Sequence, residues 1–215
     1  MATNVIAVSA LSLQLLLPAF NDFAQRAGLD MRLPLNEKRV TKSVAGKNQP
    51  SFMAVFDGHH QFNWHSEPDA IHRGRLSYYD NSNSISRLDG PKRRDLAGRV
   101  SLISTNEALA IALACLKNLG YDLAKLDATP PRVKQFTFLE EKRDAEPQPL
   151  PAFIIEWNKK IKDGEEPHWS DLLIDVEVSG LTKKVTMLTS FRAAAPATGV
   201  DLRQFGTNRV NKVIK

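Results

Sequence analysis

Four histidines within fourteen residues, His59, His60, His65 and His72, are the densest set of potential metal ligands or proton-transfer groups in the chain. A zinc ion needs three or four donors converging on one point. In a strand from His59 to His65, the side chains of His59, Gln61, Asn63 and His65 share one face, and those of His60, Phe62 and Trp64 share the other. Same-face histidines six positions apart then stand about 20 Å apart at the usual strand rise, too far to hold one ion. A metal site would need a bend in the strand, or His72 from the next one. Without either, the pattern predicts no metal and no cofactor. His59, Asn63 and His65 are then candidates for a polar binding face, with the ordinary alternative a solvated surface over a core containing Phe62 and Trp64. Asp57-Gly58, just before, suits a tight turn or a bulge, and either would shift this register.

Other chemistry is scarcer. The chain has no GxSxG nucleophile elbow, no glycine loop of the kind that cradles phosphate and no HExxH helix. Glu140-Glu141 and Glu165-Glu166 lie in charged stretches that read as solvated loops. Cys115, the only cysteine, lies on the apolar face of a helix as a small hydrophobe, and a single cysteine excludes an internal disulfide and a cysteine zinc site. The residues therefore predict no enzyme. Trp169, at the entrance to a strand, is the tryptophan best suited to a binding surface, with capping the end of a core as its ordinary alternative.

Charge offers a second reading. With 215 residues, 42% hydrophobic and 25% charged, the chain has material for one or two globular domains, and its net charge of +5 suggests an acidic partner. Nucleic acid would be met by Arg93-Arg94, Lys159-Lys160-x-Lys162 and the C-terminal tail. The tail, 192–215, holds five of the basic residues against Asp201 and leaves the preceding residues at +1. The excess is thus concentrated in a short segment, which weakens the nucleic-acid reading for the body of the chain.

The elements that must position these groups follow a doubled pattern. Leu13, Leu16, Leu17, Phe20, Phe23, Ala24 and Ala27 recur at helical spacing up to Gly28, and Pro18 either starts this helix or kinks a longer one. A second helix, capped by Ser104 or Thr105, runs through Ala108, Ile111, Ala112, Cys115 and Leu116 to Gly120. A shift of 92 residues lays Phe23 on Cys115, Ala24 on Leu116 and Gly28 on Gly120. Strands are expected after each helix: Val40 to Ala45, Phe52 to Phe56 and a hairpin of Gln61 to His65 with Gly74 to Tyr79, then Val133 to Leu139, Phe153 to Trp157 and a hairpin of Leu172 to Val178 with Lys184 to Phe191. In Leu172 to Val178, Leu173, Asp175 and Glu177 occupy the face opposite Ile174, Val176 and Val178.

This predicts an α+β chain of two repeated units, each one helix on an antiparallel sheet of about four strands. Its expected divisions are 1–80, a linker at 81–100, a second unit at 101–191 and a basic tail at 192–215. The apolar Val5 to Leu17 has two readings, a signal segment that would send the protein to the cell envelope or beyond, and a packed helix in a cytoplasmic protein. No other segment approaches the roughly 20 apolar residues a membrane span requires, so a soluble protein is expected.

The second unit carries a family resemblance. A helix ending in Leu119-Gly120-Tyr121, then Phe153-Ile154-Ile155-Glu156-Trp157, Leu173-Ile174-Asp175-Val176-Glu177-Val178 and Lys184-Val185-Thr186-Met187-Leu188, resembles the PepSY domain. The likeness covers about Ser101 to Phe191, with a weaker echo from Leu13 to Tyr79. It implies a cystatin-like fold and a non-catalytic binding or regulatory module, acting on a peptide or protein partner through an exposed sheet face or edge. The chain departs from the family's exported members in having no lipoprotein cysteine after the first apolar run.

Overall fold

The computed structural model describes residues 13–29, 31–44, 52–67, 70–125, 128–139, 146–160 and 171–190. Helix α1 (Leu13–Ala27) precedes strands β1 (Thr41–Val44), β2 (Phe52–Asp57), β3 (His60–Glu67) and β4 (Ala70–Asn81). A 3-10 turn (Ile85–Arg87) and the short α2 (Gly90–Leu96) follow. Helix α3 (Thr105–Asn118) then precedes β5 (Arg132–Phe138), β6 (Gln148–Asn158), β7 (Leu172–Ser179) and β8 (Val185–Ser190). The chain is α+β, with one helix and four strands occurring twice.

All eight strands form a single antiparallel sheet in the order β1-β2-β3-β4-β8-β7-β6-β5. The joint is β4 against β8, where Tyr78, Tyr79 and Asp80 face Thr189, Leu188 and Met187. Each set of four strands is a meander, and the two meet along their last strands. Local pattern predicts the hairpins of Gln61 to His65 with Gly74 to Tyr79 and of Leu172 to Val178 with Lys184 to Phe191. It cannot predict the joint, which pairs residues more than a hundred positions apart.

Helices α1 and α3 lie side by side on one face of this sheet. Periodicity accounts for what they bury: Phe20, Phe23 and Ala24 on α1, and Ala108, Ala112 and Leu116 on α3, share a core with Val55, Phe62, Ile155 and Val176. Pro18 lies inside α1 on its exposed side, rather than at its start. Both helices end in the same cap. Gly28 and Gly120 take φ of 66° and 87°, and hydrogen bonds run from Gly28 and Leu29 to Gln25 and Ala24, and from Gly120 and Tyr121 to Lys117 and Leu116. The residues filling these roles are 92 apart, and Arg26 Nε donates to the Asn118 carbonyl at 2.7 Å, tying one helix end to the other.

The segment 81–100, expected as a linker, packs on the opposite face. Asp89 accepts a hydrogen bond from the Lys92 amide and, with Pro91, starts α2. Ile85, Leu150 and Ala152 form a small second core there, flanked by Leu88, Leu96, Phe136 and Phe138. Among the described residues, no helix is long and apolar enough to cross a membrane.

Candidate functional site

The face opposite α1 and α3 carries a polar row along a single register. Reading across β8, β7, β6 and β5, the aligned residues are Thr189, Asp175, Glu156 and Arg132, and on the backbone this register continues to Tyr78 of β4 and Asn63 of β3, whose side chains lie outside the described residues. Alternation puts Thr189, Asp175 and Glu156 there, since their neighbours Leu188, Val176 and Ile155 point into the main core. Asp175 and Glu156 are direct cross-strand partners. Asp175 Oδ1 is shut off from solvent and accepts no hydrogen bond. Burial pushes the Asp175 carboxyl up to about 6 from an ordinary 3.8, hydrogen bonding with Thr189 opposes the rise, and the neighbouring Glu156 charge adds to it. Glu156 is itself held from the edge strand, where Lys134 Nζ lies 2.8 Å from its Oε2.

The buried carboxylates Glu177, Asp80 and Asp57, and Glu107 at the start of α3, have structural partners. Glu177, 1% exposed, accepts from the Ile85 and Ser86 amides at 2.7 and 3.2 Å and from Thr186 Oγ1 at 3.0 Å, fastening the 3-10 turn to the sheet. Asp80 is paired with Arg87 at 2.5 Å, and Asp57 with Arg39. Glu107 is held below the usual carboxylate range by the Ser104 backbone amide and then the Ser104 hydroxyl, as the acid of a capping box. Burial pushes the Cys115 thiol up to about 12, which leaves it protonated and unreactive.

At one end of the sheet the β2–β3 turn places His59 and His60 between two clefts. One, of about 320 Å³, is walled by Asn81, Ile85, Leu96, Leu181 and Thr182; the other, of about 310 Å³, by Gly58, Gln61, Ser82 and Arg87. His59 Nδ1 lies 2.9 Å from Ser82 Oγ and His60 Nδ1 2.9 Å from the Tyr79 hydroxyl, so each imidazole is oriented by its own neighbour. Of the residues singled out from sequence, His59 lines these clefts, and Asn63 pairs with Tyr78 in the middle of β3 with its side chain outside the described residues. His65 stands at the other end of β3, opposite Phe52 and Arg75, with its side chain outside the described residues. Trp169 and the tail 192–215 also lie outside them. The structure therefore does not gather His59, Asn63 and His65 into one site. Among the described residues, no group of three or more His, Cys, Asp or Glu side chains could hold a metal ion.

Two features escaped the sequence reading. The Asp175 and Glu156 pair is one; its signal was an acid on the minority face of an otherwise apolar strand. The free edge of the sheet at β5 is the other. Among the described residues, this seven-residue strand pairs with β6 on one side only and exposes Arg132, Lys134, Gln135 and Thr137. The opposite edge, β1, has four residues. The arginines of the nucleic-acid reading have local roles: Arg93 donates to the Ile85 and Ser86 carbonyls, and Arg94 lies over the Phe138 ring.

No family model and no curated protein matches the chain. A solved structure, the Bacillus megaterium YpeB C-terminal domain, is similar over 84% of this chain, with a TM-score of 0.47 and 11% sequence identity. The chain spans 63% of the length of that structure.

Proposed function

We propose that the chain is a non-catalytic, PepSY-like binding module that takes up an extended segment of a partner protein as a ninth strand on β5. The observation that carries this reading is the free β5 edge, long enough to register a peptide and open on its outer side among the described residues. Strand addition supplies affinity through main-chain hydrogen bonds and selectivity through alternate side chains. The charge of the edge sets the partner's chemistry. Arg132 and Lys134 fall on one face of β5, and Lys134 remains 48% exposed while pairing with Glu156. An acidic residue in the incoming strand would meet them. The non-catalytic part draws support from Glu177, Asp80, Asp57 and Glu107, whose carboxylates are all committed to caps and ion pairs. The order of a helix and then four strands in residues 105–190 agrees with the PepSY resemblance, and its counterpart in residues 13–81 supports a tandem origin.

Selection from a random peptide library against the immobilised full chain tests this. Extended sequences with an acidic residue should be enriched, and an enriched peptide should slow amide exchange along β5. The absence of enrichment, or slowed exchange confined to another part of the sheet, would overturn the reading.

A further inference from the structure

Asp175 differs from every other inward carboxylate described above. Glu177 has three donors, and Asp80 and Asp57 each have an arginine, whereas Asp175 has hydrogen bonding with the Thr189 side chain and backbone but keeps Oδ1 buried without a donor. Its cross-strand neighbour is a second carboxylate, and Cβ atoms of directly opposed residues stand only about 4.5 to 5.5 Å apart. The groups facing it can be named strand by strand. On β6 there is Glu156, and on β5, beyond it, Lys134 and Arg132. On β8 there is the Thr189 hydroxyl, and on β7 itself Glu177, already held by the 3-10 turn. Lys134 on β5 is paired with Glu156.

We propose that Asp175 is a proton-operated latch between β6 and β7: protonated, its carboxyl donates a hydrogen bond within the pair and closes the joint; ionised, it leaves a desolvated charge beside Glu156 and loosens it. The only bond change is the O–H bond formed when a solvent proton joins the Asp175 carboxylate. The raised value of about 6 gives the window. An acid whose folded-state pKa lies above its unfolded value favours the folded state when protonated. That gain is complete below about pH 4 and is lost as pH rises through about 6. A rise of about two units corresponds to about a hundredfold in the folding equilibrium. The latch stands independently of peptide binding at β5, because it is read without any ligand.

Carbon-13 NMR titration of the Asp175 carboxyl in the full chain is the test. A midpoint near 6, moving down in Glu156→Gln, is expected; a midpoint at or below about 4.5 overturns the proposal. Denaturant unfolding of wild type and Asp175→Asn at pH 4.5, 6 and 7.5 gives a second readout. The variant should exceed wild type in folding equilibrium by tens-fold or more at pH 7.5, and the gap should shrink steadily towards pH 4.5. A gap that does not change with pH, or a variant weaker at pH 7.5, counts against the latch. If the variant does not fold, the wild-type titration, assigned through the Asp175 backbone, decides alone.

Discussion

Where α1 meets β1–β4 the core is organised by rings in mutual contact, and where α3 meets β5–β8 aliphatic side chains predominate around Phe153 and Trp157 of β6. Phe62 lies within 5.2 to 6.2 Å, centroid to centroid, of Phe20, Phe23 and Tyr79, so one ring organises the middle of the first half. In the second half Ala108, Ala112 and Leu116 share the core with Ile155, Ile174, Val176 and Val178 and with the rings of Phe153 and Trp157. The outer faces differ too. The second half is partly covered by the 3-10 turn and α2, fixed through Glu177, and it holds the Asp175 and Glu156 pair. Similar order and similar helix caps therefore coexist with different cores. The common feature lies in backbone geometry and helical spacing, while the side chains filling the interior are free to differ as long as volume and apolarity are kept.

Deleting the central ring tests this difference most severely. Phe62→Ala should cost about 3 to 5 kcal/mol, whereas Ile174→Val in the second half should cost about 0.5 to 1.5 kcal/mol. Urea denaturation followed by circular dichroism measures both. Because the halves share the β4–β8 joint and the contact between α1 and α3, Phe62→Ala should move one transition to lower urea. A separate early transition with half the amplitude would show that the halves unfold independently.

The next effect belongs to the second half. A Cβ on Gly180 would stand 2.3 Å from Ser101 Oγ and 2.9 Å from the Pro151 carbonyl, where the Gly180 amide already donates at 2.7 Å. Backbone cannot yield cheaply there, so Gly180→Ala should destabilise by about 1 to 3 kcal/mol. A loss below a few tenths of a kcal/mol in the same denaturation assay would mean that the β7–β8 turn is not clamped against the segment leading into α3.

A smaller contrast lies at the helix starts. Ser104 and Glu107 form a capping box at α3, while α1 has no acidic residue in its first turn. Ser104→Ala should cost about 1 kcal/mol. Since the Glu107 pKa is lowered, its contribution is present above the ordinary carboxylate value and is lost as pH falls through the lowered one. Amide exchange should accordingly show the start of α3 fraying on acidification and the start of α1 changing less. Equal fraying at both ends would contradict the assignment of this effect to Glu107.

Much of this fold was written in local pattern. Gly28 and Gly120 mark the helix ends because only a residue without a Cβ takes their left-handed φ cheaply, and alternation in Leu172 to Val178 placed Asp175 on the correct face. What could not be read was non-local. No local signal pairs β4 with β8, and Asp89-Gly90-Pro91, inside the expected linker 81–100, is a helix start whose identity depends on what α2 packs against. The candidate site was missed for a related reason. A carboxylate on the minority face of a strand looks solvated until the neighbouring strand is known to bring another carboxylate beside it.

Cys115 offers the gentlest probe, since it stands 92 positions after Phe23 and lies in the shared core. Its thiol, pushed up to about 12 from 9.0, should hold roughly a thousandfold less thiolate than an ordinary cysteine near pH 8. Alkylation by iodoacetamide should therefore proceed only through opening of the fold, at a rate that rises with denaturant in step with unfolding. Phe62→Ala then decides how far the comparison between the halves extends. If both helices cover one core, deleting a ring under α1 speeds alkylation of a cysteine on α3; if the two cores are energetically separate, the rate stays at its wild-type value while the first half loosens.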